Sequence, residues 1–177
     1  MGIGKFAALL AGAGAALLIV TTPLLAEPGR SGSVYQRLLA AHNRERARLT
    51  VPRLVWSDRL TAQAQAWADS LARREAFHHS NRKTRGGTGE NLWMGTTGYY
   101  SPEDMIGSFL EEKRDFRRGV FPAVSRTGNW DDVSHYTQII WPTTQEIGCA
   151  IARSGGGMDV LVCRYWPKGN IDNRAVG

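Results

Sequence analysis

One acid stands where an apolar residue belongs. In the segment that opens Ser101-Pro102-Glu103-Asp104, Met105, Phe109 and Phe116 fall on one helical face and Glu112 shares it, while Glu111 falls with Asp104, Ser108 and Asp115 on the polar side. A carboxylate on an apolar stripe is unfavourable unless it is paired or holds a ligand, so Glu112 is a candidate for chemistry and Glu111 is not. Two histidines have a serine beside them: His79 precedes Ser80, and His135 follows Ser134. Neither reads as a nucleophile with its base. The chain has no Gly-x-Ser-x-Gly elbow and no free-cysteine arrangement, and neighbours on a strand, as Ser134 and His135 are expected to be, point to opposite faces. Cys149 and Cys163 offer a different chemistry. They lie at equal distances on either side of Gly156 in the turn Ser154-Gly155-Gly156-Gly157, so a hairpin centred there sets them opposite one another on one face. A cross-strand disulfide is the expectation.

Elements must position these groups. Ser33 is placed to cap a first helix with Val34, Leu38, Ala41, His42 and Leu49 on one stripe, ended by Pro52. A second helix, capped by Ser57 or Asp58, carries Leu60, Ala64, Trp67, Ala68 and Leu71. The polar, glycine-rich stretch 81–89 reads as a loop. Ser101, Pro102 and two acids start a third helix strongly. Beyond it, His135, Thr137, Ile139 and Trp141 alternate with Tyr136, Gln138 and Ile140, which predicts a strand, and Ile147-to-Ala152 and Leu161-to-Tyr165 alternate likewise. Helices first and adjacent strands later predict an α+β sandwich. His42 reads as a hydrogen-bonded packing residue, and Asn91 and Asn170 as loop residues that bond backbone.

The ends and the composition set the compartment. Lys5, the apolar run Phe6 to Val20, the breakers Thr21, Thr22 and Pro23, and Ala26 follow the order of a signal peptide over 1–26. Residues 27–32 read as a linker, 33–172 as one domain and 173–177 as a tail. Export to an extracellular or periplasmic space permits the disulfide. The chain of 177 residues is 42% apolar and 21% charged with a formal charge of +6, which fits one folded domain and excludes a disordered chain. Beyond the N-terminal run no stretch is long enough to span a bilayer. The positive charge allows attraction to an anionic cell surface, while nucleic acid is excluded by export and by the lack of a binding motif.

Four strings, in order, carry a family resemblance: His42-Asn43-x-x-Arg46, Gly89-Glu90-Asn91-Leu92, the octapeptide from Ser134 to Trp141, and the run from Leu161 to Ile171. Together they resemble the CAP superfamily of cysteine-rich secretory proteins, insect antigen 5 and plant pathogenesis-related class 1 proteins, over about residues 33–172. The resemblance implies a secreted three-layer α-β-α sandwich with a central antiparallel sheet, and a shallow cleft holding two His and two Glu. On this chain they map to His79, Glu90, Glu112 and His135, with His79 chosen over His78 because a serine follows it. Such a set suits a divalent ion, zinc first and magnesium second. Without metal, each Glu would instead hold a His.

Some members of the family bind sterols or fatty acids beside the sheet. The candidates here are Ile106, Phe109 and Phe116, with Phe121 and Trp130 in the following loop. The chain departs from the better-studied members in having one possible cysteine pair. The expected function is a secreted, monomeric, non-catalytic binding module for lipid or sterol-like ligands, a divalent metal, or both. The alternatives are a metal-assisted hydrolase in the same cleft and a structural or defence-related surface protein without a small ligand.

Overall fold

The computed structural model describes residues 33–177, so the expected signal peptide and linker lie outside the described residues. Helix α1 (Val34–Arg48) begins on a capping box in which the Ser33 hydroxyl accepts the Gln36 N–H and the Gln36 side chain accepts the Ser33 N–H. There follow β1 (Val55–Trp56), α2 (Asp58–Arg74), β2 (Gly89–Thr96) and α3 (Pro102–Leu110). After a 3-10 turn at Glu111–Arg114 come β3 (Gly119–Val120), α4 (Ser134–Ile139), β4 (Glu146–Arg153), β5 (Met158–Trp166) and β6 (Ala175–Val176).

The main sheet has the order β1-β4-β5-β2, antiparallel except for the short parallel pair β1–β4 at one edge. Its two faces are written in the alternation of the long strands. Ile147, Cys149, Leu161, Cys163 and Tyr165 point to one side and pack with Leu38 of α1, Met105, Ile106 and Phe109 of α3, and Tyr136 and Ile139 of α4. Ala150, Ala152, Val160 and Val162 point to the other and pack on Ala64, Ala68 and Leu71 of α2. The result is the expected α-β-α sandwich. Helix α2 lies close on the sheet because Gly148 has no side chain: a Cβ there would come within 2.3 Å of the Thr61 nitrogen. Cys149 and Cys163 pair across β4 and β5 and form the expected disulfide.

Three expectations are corrected. The strand expected from His135 to Trp141 is instead α4 followed by a turn. Val133, Tyr136, Ile139 and Ile140 are all buried, and that spacing satisfies a helix as well as alternation satisfies a strand in so short a run. Gly89, expected to close the loop over 81–89, instead opens β2, which carries Glu90. The tail at 173–177 returns as β6, which pairs with β3 and buries Val176 in the core.

Candidate functional site

The four mapped residues form two pairs, each an imidazole held by a carboxylate. His79 Nδ1 lies 2.7 Å from Glu90 Oε1, and His135 Nδ1 lies 2.6 Å from Glu112 Oε1. Glu90 is buried on β2, where the strand register sets it opposite Arg164 of β5. Its two oxygens also accept the Ser80 N–H at 3.0 Å, the Ser80 hydroxyl at 2.8 Å, Arg85 at 3.4 Å and Arg164 at 3.0 Å. Burial alone would push the Glu90 carboxyl up, but the hydrogen bond from His79 and the charge of Arg164, with Ser80 and Arg85 behind them, hold it below the ordinary carboxylate value. Ser80 is thereby committed to Glu90 and does not face His79 as a nucleophile.

Glu112 explains its place on the apolar stripe. It sits in the 3-10 turn after α3, half-buried, while Glu111 is exposed. Its Oε1 takes His135, and its Oε2 accepts the Tyr136 N–H at 2.9 Å, one of the amides that the first turn of α4 leaves without a helical partner. One carboxylate therefore caps α4 and orients the imidazole that α4 carries. Phe109 completes the setting, its ring stacked on His135 with centroids 4.8 Å apart.

A buried chain of hydrogen bonds fixes His135 from behind. Asn91 Nδ2 donates to the His135 carbonyl at 3.1 Å and to the Tyr165 hydroxyl at 3.2 Å, and that hydroxyl meets His42 Nε2 at 2.8 Å. His42 Nδ1 donates to the Leu38 carbonyl at 2.8 Å, so Nε2 accepts from Tyr165. His42 is thus the packing residue the helical stripe predicts. Asn91 does bond backbone, from a strand rather than a loop. Gly89 completes the Gly-Glu-Asn string, because a Cβ there would fall 2.0 Å from Gln138 Oε1, the atom that accepts the Gly169 N–H.

The four candidates stand as two separate His–Glu pairs. Every carboxylate oxygen is already engaged, and among the described residues no three His, Cys, Asp or Glu stand together to hold an ion. What the arrangement leaves are two imidazoles whose Nδ1 is tied to an acid and whose Nε2 has no hydrogen-bond partner among the described residues.

The side chains expected as lipid candidates pack inward. Ile106, Phe109, Phe116 and Phe121 are buried in the core, and Trp130 packs edge-on against Phe121, so these side chains form the interior rather than an open face. The open apolar groove lies elsewhere, between α1, α3 and β4, with a volume of about 660 Å³ and Val34, Tyr35, Leu38, Tyr100, Met105 and Ile151 in its wall. Periodicity marks which residues turn inward. It does not show a groove whose walls come from five separate elements, with Gln65 of α2 and Asp159 of β5 completing the lining. Arg164 carries no local signal, because its pairing with Glu90 depends on the register of β2 on β5.

A three-layer sandwich with paired His and Glu at the end of its sheet defines the class. A family model of the cysteine-rich secretory protein family, CAP, matches residues 39–165, and the chain belongs to that family. Pathogenesis-related protein 1A of Nicotiana tabacum is 32% identical over 158 residues, covering 86% of this chain and 89% of that protein. Cysteine-rich secretory protein 2 of Homo sapiens is 34% identical over 153 residues, covering 80% of this chain and 59% of that protein. The solved structure of BmVAL-1 matches with a TM-score of 0.67 at 26% identity over 84% of each chain.

Proposed function

We propose that this protein is an exported, non-catalytic binding module that takes an apolar chain, such as a fatty acid or a sterol-like molecule, in the groove between α1, α3 and β4. The observation that carries the reading is the groove itself. Its volume of about 660 Å³ falls in the range of small-molecule sites, and three large residues at its rim, Val34, Tyr35 and Tyr100, stay exposed. Arg153, largely exposed beside the same rim, is paired with Asp159 at 3.1 Å. Export is supported by the order of residues 1–26 and by the secretory relatives. A fluorescent long-chain fatty acid titrated below its micellar concentration should be taken up saturably. Ile151→Asp, which sets a charge in the groove wall, should weaken uptake about tenfold or more. Absence of saturable uptake, or uptake unchanged in Ile151→Asp, overturns the reading.

A second reading is favoured by the two imidazole–carboxylate pairs. Metal-bound histidines donate their other ring nitrogen to a carboxylate, which is the state of His79 and His135 here. Their Nε2 atoms would hold the ion, with solvent completing the coordination. Imidazole donors favour zinc over magnesium, and a bound zinc would supply a Lewis acid. Zinc titrated into chelator-treated protein at pH 7.5 should give saturable heat and raise the melting temperature. Glu112→Gln should weaken that binding about tenfold or more, whereas Glu111→Gln should leave it unchanged. No saturable signal, a signal surviving His79→Ala with His135→Ala, or equal behaviour of the two Glu variants would defeat this second reading.

A further inference from the structure

The rim of the groove continues into a longer strip of exposed aromatic and aliphatic side chains. On one side Tyr99 and Tyr100 stand edge-to-face with ring centroids 4.9 Å apart, and Tyr99 is 77% exposed. On the other, Tyr35 lies 5.2 Å from the ring of Trp56, next to Val55, which is 67% exposed. Val34, Tyr35 and Tyr100 all line the groove, so the two sides meet at its mouth.

The strip is presented on a stiff frame. Asp159 accepts the Gly98 N–H at 3.0 Å and the Thr97 hydroxyl at 3.1 Å, and the Thr97 N–H donates to the Gly157 carbonyl at 2.9 Å. Those bonds hold the turn that carries Tyr99 and Tyr100, and the capping box at Ser33 holds the start of α1 that carries Val34 and Tyr35. A backbone held in place beneath the rings lowers the ordering cost of meeting a partner.

We infer that this strip docks on the interface of a lipid bilayer, with the groove mouth facing the lipid. Tyrosine and tryptophan are the side chains that settle at a membrane–water boundary, where the ring is buried and the polar tip stays wet. Ion pairs border the strip, Arg37 with Glu103, Arg153 with Asp159 and Arg59 with Glu146, and exposed Arg53 stands beside Val55 without an acid partner among the described residues. The exposed rings rather than the charges make the contact, so the partner is a zwitterionic lipid surface and docking does not require anionic lipid. The inference rests on the groove reading for what crosses the contact, not for the contact itself.

The full chain is mixed with phosphatidylcholine vesicles, with and without added phosphatidylglycerol, and amide exchange is followed. The expected result is slowed exchange at residues 33–36 and 97–100 on both kinds of vesicle. That protection should fall about tenfold in Tyr35→Ser with Tyr99→Ser, two substitutions at exposed rings. If the segment before Ser33 alone attaches the chain, exchange at 97–100 does not change and the inference is overturned. Protection that appears only with phosphatidylglycerol, or survives the double substitution, overturns it too. Fatty-acid uptake is measured without vesicles, so the two readings fail separately. Uptake without protection at 97–100 removes docking alone, and protection without uptake removes the groove reading alone.

Discussion

Arg46→Leu should lower the stability of the fold by about 3–5 kcal/mol, a large part of the total that holds a domain of this size together. Arg46 is fully buried on α1, and its guanidinium donates to four backbone carbonyls: Pro52 at 2.6 Å, Ile139 at 2.8 Å, Trp141 at 3.0 Å and Thr144 at 2.9 Å. Burial pulls its pKa down to about 10, which still leaves it charged at neutral pH. Two of its acceptors lie at and just beyond the C-terminal end of α4, the negative end of that helix, where a cation is favoured. Leucine would strand those carbonyls in an apolar setting, at about 1–3 kcal/mol for each one left unsatisfied. Arg46→Lys should recover only part of the loss, because an ammonium has no planar fork to reach acceptors on three segments. Arg44→Leu, at an exposed position of the same helix, should change stability by no more than about 0.5 kcal/mol. Urea midpoints measure all three, and an Arg46→Leu midpoint equal to that of Arg44→Leu would remove the argument. Since α4 carries His135, the variant should also loosen the cleft before the domain unfolds.

The legible parts of this molecule were those whose signal is local. The cap at Ser33, the Ser101-Pro102 start and the symmetric placement of Cys149 and Cys163 about Gly156 each depend on a few adjacent residues, and each stands as expected. Glu112 was legible for a related reason: helical phase showed it turned inward, although the helix stops at Leu110 and the acid sits one 3-10 turn later. The illegible parts depend on what lies across a layer. Helix α4 has six residues, too few for one period to exclude the other, and its conformation is decided by Glu112 at its start and Arg46 at its end. The cage became two pairs because Arg85, Ser80 and Arg164 fill the remaining sites on Glu90. Nothing in the order of residues shows that a carboxylate will be so fully engaged. Phe109 and Phe121 carry the same apolar signal whether they line a groove or close a core, and here they close it.

Between pH 6.5 and about pH 4 the fold should lose about 3 kcal/mol through His42 alone. Burial, then the charge of Arg46, outweighs the hydrogen bond to Leu38 and lowers the ring's pKa to about 4 from 6.5. The direction follows from proton counting. Above pH 6.5 the ring is neutral in both folded and unfolded chains, and the stability from burying it is fully present. Below 6.5 the unfolded chain takes up a proton that the folded chain refuses, so stability falls by about 1.4 kcal/mol per pH unit until the folded ring titrates near 4. Glu45 and Glu90, whose carboxyls are held below the ordinary value, begin to weaken the fold below about pH 5, as the unfolded carboxyls protonate. The two effects overlap only at the acid end of the histidine window, and the comparison with His42→Gln separates them. Urea unfolding at pH 7.5, 6.5, 5.5 and 4.5 should give the wild type a fall about 2–3 kcal/mol larger than His42→Gln, which keeps a donor and an acceptor but cannot titrate. Equal falls in the two proteins would show that the ring is not what refuses the proton. The same titration reaches the cleft. A protonated His42 can no longer accept from the Tyr165 hydroxyl, and that hydroxyl shares Asn91 with the His135 carbonyl. Acid strong enough to charge His42 should therefore release His135 from behind, and the ring signals of His135 should shift with the titration of a histidine on another helix.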